Sequence, residues 1–372
     1  MKSLKSVLIY GVFLMLLTGC WDQKLLKDAK LVMGVGYDLT TDEKLLETVI
    51  LPLFSASESG MQSKKSQIIS EIGNTAHETR DKINNAVSKR FDPAQLKIVL
   101  FGEKYAKMDI YPALDVFYRD QKSSLLSNVA VVEGTAHKML QIKTNEPKTM
   151  DSYLMDLIVN AQEATIIAKP NKPLISHIYN PGVDLVLPLL KTQQNKVKIQ
   201  GLAMFNGEHY TGHHLTRQES TLYLLMANQK AERAVITLKI HQNKHPEMKN
   251  YITINVIKSK RHFKINTSDL NNLAINPLLD LKIEIVEDPE KHVYDMKRIK
   301  KLNQEISRQL TQQIRGVLQK TQEANSDILG IGKYIIAYHN ETWKHINWKQ
   351  VYPNLKFKPE VKVEILKHGV FN

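Results

Sequence analysis

Cysteine is almost absent: the chain of 372 residues has one, Cys20. A single thiol excludes an intramolecular disulfide framework and dithiol exchange, and it leaves zinc fingers without their paired ligands. Glycine (16) and proline (13) are too sparse for a low-complexity or collagen-like chain. Long apolar runs are also scarce. Val7–Leu17, VLIYGVFLMLL, stops well short of the roughly 20 residues that span a bilayer as a helix. The 51 Lys and Arg outnumber the 38 Asp and Glu by 13, but the basic residues are scattered and no nucleic-acid-reading motif accompanies them. What remains, 42% apolar and 24% charged, is the composition of a folded protein long enough for more than one domain.

The lone cysteine stands directly behind the apolar run. Lys2 and Lys5 give a short positive region, Val7–Leu17 an apolar core of signal-peptide length, and Leu17-Thr18-Gly19-Cys20 resembles a bacterial lipobox. In that chemistry the thiol takes a diacylglyceryl group through a thioether, and cleavage before Cys20 makes it the first mature residue, with N-acylation as an accompanying modification. One acyl chain binds a membrane only marginally, whereas two anchor stably. The expected organisation is therefore a lipoprotein signal peptide over residues 1–19, an N-terminal α+β domain or domains over 20–190, and a C-terminal α+β domain over 191–372. Loss of residues 1–19 removes two lysines and no acids, leaving a body of net charge +11 to face anionic headgroups.

Along the body, Leu31–Tyr37 and Leu45–Phe54 predict a strand pair about the polar Asp38–Lys44, followed by an exposed loop over Ser55–Lys65. A strand at Gln67–Ile72, a helix near Thr75–Lys89 and a buried strand at Leu96–Phe101 come next. A helix over Glu103–Tyr118 should bend or restart at Pro112. A strand at Val129–Val132, a short helix near Ala136–Leu140 and a helix over Met150–Thr165 lead to a Pro-bearing connection, Lys169–Pro188, between the halves.

Asn206-Gly207 marks a hairpin after the strand Val197–Phe205, and Thr216–Asn228 reads as helix. Val235–His241, Tyr251–Lys258 and Leu281–Val286 predict an antiparallel meander. From a start at Asp288-Pro289, apolar residues recur every three or four positions through Val293, Met296, Ile299, Leu302, Ile306, Leu310, Ile314 and Val317. That stripe predicts one long amphipathic helix lying on its own sheet. Leu355–Ile365 alternates as a half-buried strand. The fold class is α+β and multi-domain, with mixed and antiparallel sheets packed with helices.

Signals for chemistry are incomplete. Gly34 and Gly36 lack the third glycine of a dinucleotide site and read as a tight strand end, Gly332-Lys333 lacks a P-loop's first glycine, and Asp81 stands where a zinc helix beginning at His77-Glu78 needs histidine. His209, His213 and His214 cluster beside the hairpin without a cysteine to complete a metal site. No G-x-S-x-G elbow occurs. The reading is a chain that is not an enzyme, with no catalytic, cofactor-binding or metal-ligating residue and with Cys20 as the lipidation site.

Several separated stretches nonetheless share one pattern. Gly19-Cys20-Trp21-Asp22, the segment RFDPAQLKIVLFGEKYA with Arg119-Asp120, the set Gly201, Ala203, Phe205, Glu219 and Ser220, and the set Asp327, Ile328, Gly330, Gly332, Trp343 and Trp348 with the run to Gly369 occur in order. Together they resemble the Ger(x)C family of spore germination lipoproteins, the C subunits of nutrient germinant receptors. The resemblance implies a non-catalytic lipoprotein on the outer face of the spore's inner membrane. Its partners would be the membrane-embedded A and B subunits and the membrane itself, with no cofactor and no nucleic acid. A lipid-anchored solute-binding protein would instead need two lobes of parallel β-α-β units, and a cell-envelope enzyme a polar cleft with a nucleophile or metal.

Overall fold

The computed structural model describes residues 29–53, 65–119, 127–143, 146–170, 174, 178–266, 273–289 and 296–367. Cys20 and the whole signal and lipobox segment, most of the expected loop Ser55–Lys65, Asp120, Val293 and Gly369 lie outside the described residues.

Four strands come first, and helices then interleave with strands. β1 (Ala29–Leu31), β2 (Gly34–Leu39), β3 (Leu45–Leu53) and β4 (Lys65–Gly73) precede α1 (Ala76–Ala86), β5 (Arg90–Asp92) and β6 (Ile98–Gly102). Then come α2 (Glu103–Met108), α3 (Tyr111–Arg119), β7 (Asn128–Val132), α4 (Ala136–Leu140), α5 (Met150–Glu163), β8 (Val186–Gln193), β9 (Lys196–Asn206) and β10 (His209–Thr216). Strands β2 to β4 and β6 to β10 form an eight-stranded sheet in the order β10-β9-β8-β7-β6-β2-β3-β4. Its centre, β2, β6, β7 and β8, is parallel, and its flanks are antiparallel.

Helices cover both faces of that centre, so its strands are mostly apolar, with Asp38 of β2 a buried exception. In β6, Ile98 and Leu100 point into a core shared with α4 and α5, while Val99 and Phe101 point into a second core with α1, α2 and α3. The helix expected over Glu103–Tyr118 does restart beside Pro112: α2 ends at Met108, and the Asp109 carboxylate accepts from Tyr111 N at 2.8 Å where α3 begins. Gly34 opens β2, and Gly36 lies within the strand.

The expected division after residue 190 falls within β8. That strand pairs with β7 on one side and β9 on the other, so the first sheet continues across the division to Thr216. One of the two cores runs on with it, through α6 (Arg217–Met226) into a second sheet.

This sheet contains β11 (Val235–Lys239), β12 (Tyr251–Asn266) and β13 (Ala274–Glu287) as the antiparallel meander, with β12 and β13 far longer than their apolar centres predict. α7 (Met296–Glu323) crosses over to β14 (Lys356–Phe357) and β15 (Glu360–Lys367), which both pair in parallel with β13. Between them lie α8 (Ile331–Tyr338), α9 (Asn340–Lys344) and α10 (Trp348–Val351).

α7 buries Leu302, Ile306, Leu310, Ile314 and Val317, while Met296 stays 81% exposed. The stripe therefore lies on the chain's own sheet, as its spacing predicts. The expected start just after Asp288-Pro289 falls on residues 290–295, outside the described residues; the Asp288 carboxylate accepts from Arg298 Nη2 at 2.8 Å.

Beside the stripe, Asn303, Ser307 and Thr311 accept hydrogen bonds from the backbone N–H groups of Ile365, Val363 and Val361, each at 3.0 Å. Four helical residues advance about 6 Å and two strand residues about 6.6 Å, so the two periods match across three rungs. The helix thus covers the outer edge of β15, a row of donors that would otherwise be open to another strand.

Loss of one rung by Ser307→Ala should lower the unfolding free energy by about 1 kcal/mol. Replacing Asn303, Ser307 and Thr311 together by alanine should cost at least twice the single change in urea denaturation followed by circular dichroism. An unaltered midpoint in the triple variant would mean that water serves the edge equally well.

Candidate functional site at the junction of the two sheets

Two carboxylates 143 residues apart in sequence hold the junction. Asp184 precedes β8 and Asp327 follows α7. The Asp184 carboxylate accepts from Asp327 N at 2.7 Å and Gly207 N at 3.0 Å, and Asp184 N donates to the Asp327 carbonyl at 2.9 Å.

Asp327, 1% exposed, accepts from Ile331 N at 2.9 Å, Gly332 N at 2.7 Å and Trp348 Nε1 at 3.2 Å. Its carboxylate caps the N-terminal turn of α8, where the helix dipole favours negative charge. Burial is the stronger influence and pushes Asp327 up to about 7, against the opposing hydrogen bonds from Gly332, Ile331 and Trp348. Burial raises Asp184 as well.

The surrounding contacts explain why this segment carries small and aromatic residues. A Cβ on Gly332 would lie 2.7 Å from both Gly182 Cα and Trp348 Nε1, and Lys333 N donates to the Gly182 carbonyl at 2.8 Å. Gly201 has φ +151°, and a side chain there would meet the Leu215 carbonyl across the β9–β10 pair. Ala203 and Phe205 are fully buried on the same strand, with Ser326 Oγ donating to the Phe205 carbonyl. Glu219 completes a capping box with Thr216 at the start of α6 and pairs with Lys320 of α7 at 2.8 Å. Trp343, Trp348 and Tyr352 stack in sequence at 5.7 and 5.6 Å between ring centres.

The three histidines do not converge: His209 Nδ1 meets the Met108 carbonyl, His214 Nε2 lies 3.5 Å from Gln200 Nε2, and His213 is exposed. Among the described residues no group of three or more His, Cys, Asp or Glu could hold a metal ion.

A serine and a histidine that no sequence spacing links do meet, with Ser70 Oγ 3.1 Å from His137 Nδ1. Thr48 Oγ1 shares that nitrogen at 3.0 Å and Gln141 Nε2 lies 3.0 Å from His137 Nε2. Both ring nitrogens are thereby engaged. Glu47, buried between Tyr37 and Thr79, receives hydrogen bonds from both hydroxyls, and burial pushes it up to about 7.

Beside the Asp184–Asp327 clasp lies a cavity of about 620 Å³, lined among others by Asp184, Arg261, Lys333 and Tyr334. No helix among the described residues is long and apolar enough to cross a membrane.

Comparison with known proteins gives a consistent result across the chain. The spore germination protein N-terminal domain matches residues 22–192, and the spore germination B3/GerAC-like C-terminal domain matches residues 200–369. The chain is 23% identical to spore germination protein GerQC of Bacillus cereus, covering 100% of this chain and 99% of that one. It is also 23% identical to spore germination protein B3 of Bacillus subtilis (strain 168), covering 99% of each. A crystal structure of the GerBC protein superposes with a TM-score of 0.60 at 18% identity, covering 90% of this chain and 97% of the other.

The raised Asp327 makes two pH effects measurable. Its folded value, about 7, lies above its ordinary 3.8, so this group's contribution to stability is full below about 4 and is lost as pH rises through 7. Glu47 adds to the same fall, its folded value being about 7 against an ordinary 4.5. Tryptophan emission should accordingly titrate with a midpoint near 7, through the Trp348 Nε1 contact, and Asp327→Asn should abolish that step. A step that persists in the asparagine variant would assign it elsewhere.

Proposed function

The chain belongs to the Ger(x)C family of spore germination proteins, and we propose that it serves as the lipid-anchored, non-catalytic C subunit of a nutrient germinant receptor. The single observation that carries this is coverage: two spore germination family models together take in nearly the whole body, and relatives named for germination align end to end.

The sequence Leu17-Thr18-Gly19-Cys20 supports a diacylglyceryl thioether at Cys20, with N-acylation of the new N-terminus. Two or more acyl chains, each worth about 0.8 kcal/mol per buried methylene, hold a folded body at a bilayer without a spanning helix. The reading places the body on the outer face of the spore's inner membrane, beside membrane-embedded A and B subunits. A non-catalytic role accords with a site whose carboxylates are committed to backbone donors.

In spores carrying Cys20→Ala, the protein should leave the membrane fraction, incorporate no fatty-acid label and support a weaker nutrient germination response, with non-nutrient germination unaffected. Mass spectrometry of the native mature protein checks the first step directly. An unmodified sulfur at Cys20 would refute the anchor, and a normal nutrient response in spores lacking this and all related receptors would refute the receptor role.

A further inference from the structure

We propose that the cavity beside the Asp184–Asp327 clasp binds a small organic anion with a flat apolar body. The inference rests on the cavity alone and holds whether or not the chain acts in a receptor.

At about 620 Å³ the cavity is of ligand-site size. It opens where the first sheet, α8 and β12 meet, and its walls combine aliphatic side chains such as Leu187, Leu202 and Ile328 with aromatic rings. Tyr334 and Tyr338 meet at 4.5 Å between ring centres with their planes tilted by 40°, and Phe263 stands edge-on to Tyr334 at 6.3 Å.

Three cations, Lys169, Arg261 and Lys333, line the same space. Among the described residues the one acid on its wall is Asp184, whose carboxylate oxygens accept from Gly207 N and Asp327 N. Among the described residues no carboxylate is paired with any of the three cations. Among the described residues the lining therefore carries three cations against one carboxylate, an electropositive balance.

Arg261 is the most informative of the three. The inner row of β12 carries Ile252, Ile254 and Val256, all fully buried, before a register irregularity between Val256 and Lys258. Beyond it the half-buried positions are Arg261, Phe263 and Ile265, while Lys260, His262 and Lys264 face solvent. A guanidinium thus occupies the row that elsewhere seals an apolar core. Its carbon lies 4.4 Å from the Phe263 ring centre, and Nη1 donates to the Met226 carbonyl at 3.0 Å.

One hydrogen bond of that kind leaves most of a guanidinium's five donors available. Burial pulls Arg261 below its ordinary value, the sign of a cation short of water. A planar fork of donors held against an aromatic ring matches a carboxylate attached to a flat apolar group.

Isothermal titration of the purified full-length chain with indole-3-acetate, benzoate and their uncharged amides tests this. The acids should bind at millimolar concentration or below and the amides about tenfold more weakly. Arg261→Gln should bring the acids down to the level of the amides and leave the amides unchanged. Lys333→Gln, at an exposed position, should weaken only the acids and keeps the test open if the arginine variant does not fold. Ala337→Trp, at the exposed mouth of the cavity, should block both kinds of probe. Equal binding of acid and amide, undiminished binding in the Ala337→Trp chain, or no binding of either acid at millimolar concentration would each overturn the proposal.

Discussion

A carboxylate in a protein interior must be surrounded by donors or give up its charge, and Asp327 shows how far that requirement reaches. Its three donors come from two consecutive backbone amides at the start of α8 and from the indole of Trp348. Presenting those amides requires α8 to begin where it does. Bringing the indole within reach requires a glycine at 332, because a methyl group there would collide with it. The backbone of Asp327 is in turn held by Asp184, whose other oxygen takes the hairpin amide of Gly207. Loop, hairpin and aromatic stack are thus consequences of one buried charge.

The same clasp explains why the two halves form a continuous body. Family models for the N-terminal and C-terminal domains meet between residues 192 and 200, at the turn joining β8 and β9. That turn lies inside the first sheet. The C-terminal part therefore contributes β9 and β10 to a sheet begun by the N-terminal part, and its own sheet shares a core with it. A division read from sequence follows where patterns change, whereas hydrogen-bonded strands follow where edges need partners.

Local patterns were legible because local forces set them. The α7 stripe, the hairpin at Asn206-Gly207 and the short helix at Ala136–Leu140 follow from periodicity and turn chemistry that need no distant partner. The far halves of β12 and β13 were not legible. Lys258 to Lys264 alternates charge with Arg261 and Phe263 and so lacks the apolar run that marks a buried strand. Parallel pairing of β15 with β13, the Ser70–His137 contact and the Asp184–Asp327 clasp all join residues more than 60 positions apart. The resemblance singled out Asp327, Gly330, Gly332 and Trp348 as a set, but only the fold shows that a carboxylate and its donors are what unite them.

Shifted acids are a common mark of active sites, yet a shift alone does not distinguish chemistry from architecture. What separates the two here is the remaining bonding capacity. Asp327 spends its oxygens on three donors, Glu47 on the hydroxyls of Tyr37 and Thr79, and His137 both ring nitrogens on Thr48, Ser70 and Gln141. Groups so engaged fix the geometry of the segments that supply their partners. Arg261 is the reverse case. It too is half-buried, but most of its donors are uncommitted and it borders an open volume. Free valence beside empty space, more than perturbation itself, is what distinguishes a recognition site from a structural one in this fold.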